Sequence, residues 1–80
     1  MYSNSIRETR YAIRNTISNE CVDKRFLQYG VIRWTPRMRE IALFDDFEIA
    51  DDLIDGHKLQ SVTIERVFIE TTFENNFEDW

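Results

Sequence analysis

Eighty residues that are 42% hydrophobic and 14% aromatic, with two glycines and one proline, hold enough core material for one small domain and exclude low-complexity disorder. The single cysteine, Cys21, excludes an internal disulfide, and with the single histidine, His57, it is too few for a Cys/His metal site. The net charge of −5 hides a split: residues 1–39 carry eight basic against three acidic side chains, and residues 40–80 carry two against twelve.

The first segment fits a helix. Ser5 and Glu8 have capping-box spacing. Ile6, Ile13 and Ile17 fall on one stripe at about 100° per residue, with Thr9 and Thr16 beside it and Arg7, Arg10 and Arg14 along its flank. The helix is expected to end near Ser18 and Asn19. Residues 26–34 are rich in aromatic and β-branched side chains and read as a strand. Pro36 suits a turn, and a second strand over residues 38–44 completes a hairpin.

One long helix over residues 36–55 competes with that strand, since Thr35 and Pro36 could cap and start it. The angular pattern favours a break at Asp45 and Asp46. From residue 47 to 55, Phe47, Ile49, Ala50, Leu53 and Ile54 share one side and Glu48, Asp51, Asp52 and Asp55 the other. Extending that helix backwards moves Ile41 and Phe44 onto the acidic side. Gly56 then suits a left-handed cap. Residues 59–73 are dense in β-branched side chains and read as one extended strand.

The expected fold is α+β: a single domain over residues 1–73 with the order helix, strand, strand, helix, strand. A mainly antiparallel three-stranded sheet packs against two helices, and residues 74–80 form an acidic-aromatic tail. No apolar run approaches the roughly 18 residues of a membrane span. The first residues lack the apolar region of a signal peptide, and with one free cysteine a cytoplasmic setting is expected.

Chemistry needs poised groups within reach of one another, and the chain offers little of it. It has no glycine-rich phosphate loop, no HExxH and no EF-hand spacing, so no catalytic residue, cofactor or metal is assigned. Asp45, Asp46, Asp51, Asp52 and Asp55 are hard oxygen ligands, but helical spacing strings them along a surface and does not wrap them around a point.

Two charged surfaces remain. Glu48, Asp51, Asp52 and Asp55 follow i, i+3, i+4, i+7 spacing, and Asp45 extends the row. Such a row can meet a basic protein surface as a phosphate backbone would. Phe77 and Trp80, interleaved with acids in the tail, would add apolar contacts in a partner groove. The leading expectation is a non-enzymatic interaction module of this kind. It would suit a viral or mobile-element accessory protein that inhibits or redirects a host factor, with nucleic-acid mimicry as one route. The alternative is a nucleic-acid-binding regulator using Arg7, Arg10, Arg14, Arg37 and Arg39, which the overall acidity opposes. A basic and an acidic surface on one small domain could also pair between copies as a homodimer.

Overall fold

The structure is a computed structural model that describes residues 4–73, with the side chains of residues 6–70. Strand β1 (Asn4–Asn15) is followed by β2 (Cys21–Val22), helix α1 (Lys24–Leu27), β3 (Trp34–Thr35), a 3-10 turn (Met38–Glu40), helix α2 (Phe47–His57) and β4 (Val62–Phe73). The four strands form one antiparallel sheet in the order β3-β2-β1-β4.

The mixed α and β character therefore stands, but the details change. The first segment is a strand and not a helix. It pairs with β4 over its whole length, from Asn4↔Phe73 to Asn15↔Val62. Ile6, Thr9, Tyr11 and Ile13 tolerate either conformation locally. A ladder to the β-branched β4 runs the length of all twelve residues and pairs the backbone groups of every second one, and that long-range pairing overrides the local capping signal. β1 ends in a turn built by Asn15, whose side-chain oxygen accepts from the Ile17 and Ser18 amides at 2.8 and 3.1 Å. Asn19 follows with a left-handed φ of 63°.

The expected strand over residues 26–34 is replaced by α1 and a loop. The Asp23 carboxylate caps α1 by accepting from the Arg25 amide at 2.8 Å. Gly30, at φ 74°, closes it: its amide donates to Leu27 at 2.8 Å and the Val31 amide to Phe26 at 3.2 Å, the paired bonds of a Schellman closure. Only Trp34 and Thr35 are left to pair, with Val22 and Cys21.

The expected strand over residues 38–44 is also reduced. It becomes the 3-10 turn and two single bridges, Ile41 to Asp23 and Phe44 to Tyr11. Glu40 pins this turn, accepting from the Thr35 hydroxyl at 2.8 Å and pairing with Arg25 at 3.2 Å. The sheet thus has four strands where three were expected, two of them very short.

α2 starts at Phe47, directly after Asp45 and Asp46, and Asp46 occupies its N-cap without a side-chain bond. Gly56 lies inside the helix, and Lys58 takes the left-handed capping position at φ 53°, ψ 45°. Ile13, Val22, Ala42 and Ala50 form the buried centre, with Leu53, Ile54, Val62 and Ile64 packed around it. Ala50 is the small residue at the centre of the α2 contact, fully buried where the helix lies on the sheet.

Candidate protein-interaction surface

The strand conformation of β1 disperses the basic stripe expected from helical spacing. Side chains alternate along a strand, so Arg10 and Arg14 share one face and Arg7 takes the other. Each finds an acid of the chain itself. Arg7 lies 3.7 Å from Glu70, Arg10 pairs with Glu8 and with Asp45 at 3.1 Å, and Arg14 pairs with Glu65 at 3.1 Å. Arg37 lies 3.5 Å from Glu40. Arg39 is exposed and makes no ion pair among the described residues.

Two features that residue spacing did not suggest occupy further cations. The guanidinium groups of Arg25 and Arg33 each lie 5.4 Å from the centre of the Phe26 ring. Arg25 also binds Asp23, whose side chain is buried directly after β2 in the chain, with a shortest contact of 2.7 Å. Hydrogen bonds from Arg25 hold the Asp23 carboxyl below the ordinary carboxylate range, against the opposing pull of burial. The signal for this knot lay in Asp23 and Gly30, a cap and a left-handed stop, bracketing six residues without a β-branched side chain, Lys24 to Tyr29.

The acidic row keeps its expected register. Glu48, Asp51, Asp52 and Asp55 are all exposed on α2, and none makes an ion pair among the described residues. Asp45 is drawn off the row by Arg10. The apolar side of α2 is only partly covered: Ala50 is buried, while Phe47 and Ile49 remain about half exposed. Phe47 packs edge-on against Tyr11, ring centres 6.0 Å apart. A shallow groove of about 370 Å³ runs between α2 and the start of β4, lined by Phe47, Asp51, Ile54 and Val62 among others. Acidic and apolar groups therefore lie side by side there. Phe77 and Trp80 lie outside the described residues.

Cys21 and His57 sit on different elements, in β2 and at the end of α2. Burial pushes the Cys21 thiol up; nearby Arg14 pulls it down and Glu65 pushes it up further. Among the described residues no cluster of three or more His, Cys, Asp or Glu side chains is placed to hold a metal. Among the described residues no helix is long and apolar enough to cross a membrane. A second groove, about 520 Å³, opens on the other face of the sheet between Met38, Leu43, Val67 and Ile69. Its sequence signal was the apolar alternation of Val67 and Ile69 in β4.

No family model matches the chain, and comparison with curated proteins and with solved structures finds no match.

Proposed function

We propose that the chain is a non-enzymatic interaction module that binds a protein with a basic surface through the outward side of α2. The observation that carries this reading is the unequal use of charge. Arg7, Arg10, Arg14 and Arg37 are matched by acids of the same chain, whereas Glu48, Asp51, Asp52 and Asp55 are exposed without an ion pair among the described residues. An unneutralised row of like charge attracts an oppositely charged partner and speeds encounter. The adjoining Phe47 and Ile49 supply the apolar contact that charge alone does not. Phe77 and Trp80 belong to the same proposal as further apolar contacts. By analogy alone, such a module suits an accessory protein that inhibits or redirects a host factor in the cytoplasm.

The test compares proteins captured by the wild-type chain with those captured by a variant carrying Asp51→Asn, Asp52→Asn and Asp55→Asn. The reading expects a salt-sensitive partner that the triple variant loses. Binding of mixed-sequence DNA or RNA at low salt, abolished by Arg10→Ala with Arg14→Ala, would replace it with the nucleic-acid alternative.

A further inference from the structure

Among the described residues β4 is an edge strand of the sheet, and it is twelve residues long. Protein edges are ordinarily blunted by shortness, proline, a bulge or charged side chains, lysine above all, and β4 carries Glu65, Arg66 and Glu70. β4 has no lysine, proline or glycine, and its pairing with β1 runs without an interruption in register. The orientation of its free polar groups follows from β1. The Tyr11 amide donates to Phe44 at 2.9 Å and its carbonyl accepts from Phe44 at 2.8 Å, both on the side away from β4. Tyr11 and its opposite residue Arg66 are therefore a non-hydrogen-bonded pair in the β1–β4 ladder. Alternation then turns the N–H and C=O groups of Ile64, Arg66, Phe68 and Glu70 outward along the edge. Those of Val67 and Ile69 point inward to Arg10 and Glu8.

We propose that a second copy of the chain pairs antiparallel with this edge, β4 to β4, about a two-fold axis through Phe68. Two antiparallel copies related by a two-fold axis normal to the sheet must place some residue opposite itself. Centring on Phe68 sets Arg66 opposite Glu70 of the second copy, and Glu70 opposite Arg66. Val67 meets Ile69 of the second copy, and Glu65 meets Thr71. Centring on Glu65, Arg66 or Glu70 opposes like charges. Centring on Val67 or Ile69 sets a charged residue opposite an apolar one. Only the Phe68 register is complementary in both charge and hydrophobicity.

That register has physical support on both faces of the sheet. On one face Phe68, 58% exposed, would cover Phe68 of the second copy. Arg66, which makes no ion pair among the described residues, would gain Glu70 of the second copy. On the other, Val67 and Ile69 of both copies would form one apolar strip continuous with the groove beside Leu43 and Met38. A ladder over residues 64–72 would supply about ten main-chain hydrogen bonds, the complement of an ordinary protein interface. The outer half of the β1–β4 ribbon, a two-stranded element of marginal stability alone, would become part of a wider sheet.

The experiment is sedimentation of the full chain up to about 100 µM, where mass action favours a dimer of micromolar affinity. Wild type is expected to dimerise with rising concentration. Arg66→Glu and Glu70→Arg should each weaken self-association roughly thirty-fold by opposing like charges at two symmetric positions. An equimolar mixture of the two variants should recover a heterodimer, because each then supplies the charge the other lacks. A wild-type monomer at that concentration overturns the proposal, as does a mixture that associates no better than either variant alone. If a chain ending at Phe73 dimerises and the full chain does not, residues 74–80 occupy the edge, and the proposal falls. Hydrogen exchange on wild type reads the same register without a mutation. The Phe68 amide should become protected as concentration rises, while the Val67 amide is protected throughout; a Phe68 amide indifferent to concentration counts against the pairing.

Discussion

Truncating three isoleucines separates the observed strand from the helix that local spacing suggests. On a helix Ile6, Ile13 and Ile17 share one stripe and should matter about equally. In the structure they part: Ile13 is 0% exposed at the centre of the core, Ile6 is 49% exposed on the ribbon, and Ile17 is 80% exposed in the turn after β1. Ile13 faces Ile64 across the β1–β4 pair and packs in one cluster with Val22 and Ala50. Ile13→Ala removes about 2 kcal/mol of transfer free energy and leaves a cavity that Ala50 is too small to fill, for a total of about 3 kcal/mol. A domain of this length has roughly 4–12 kcal/mol in all, so the variant should lose a quarter or more of its stability. Ile6→Ala should cost about 1 kcal/mol, and Ile17→Ala should stay within about 0.5 kcal/mol. Urea unfolding followed by circular dichroism, at one fixed protein concentration, measures all three. With a slope of about 1 kcal/mol per molar, Ile13→Ala should lower the midpoint by roughly 3 M. Equal losses at the three positions, or less than about 1 kcal/mol at Ile13, would refute the strand assignment and the core built on it.

The two glycines should respond in opposite directions. Gly30→Ala has open space around the new methyl group but must hold φ 74°, and should cost about 1 kcal/mol; Gly56→Ala, inside α2 with equally open space, should gain about 0.5 kcal/mol in the same urea assay. Because Arg25 holds the folded Asp23 carboxyl below its unfolded value, that pair contributes fully above about pH 4 and is lost as pH falls through the lowered folded value. Thermal melts of wild type and Asp23→Asn across that range should therefore converge in acid, and parallel curves would contradict the coupling. Burial raises the Cys21 thiol, so alkylation near pH 8 should be slower in the folded chain than in urea; equal rates would show the thiol to be open.

Two stretches were legible in the residues themselves. α2 follows from one clean split of apolar and acidic side chains after Asp46, and it places the acidic row of Glu48, Asp51, Asp52 and Asp55 without reference to anything distant. β4 follows from a dense β-branched run that disfavours a helix on its own account. The conformation of residues 4–15 was not legible. Ser5, Glu8 and the isoleucine spacing satisfy a helix within one local window. The strand is stabilised by hydrogen bonds to residues about 50 to 70 positions away, which no local window contains. That pairing redistributes Arg7, Arg10 and Arg14 over two faces and sets each beside an acid. The order of charged residues along the chain alone determined that its basic and acidic charge would be separated in sequence. Tertiary structure decided which of that charge is spent internally and which is left on the surface, because ion pairing depends on distance in space and not on position along the chain.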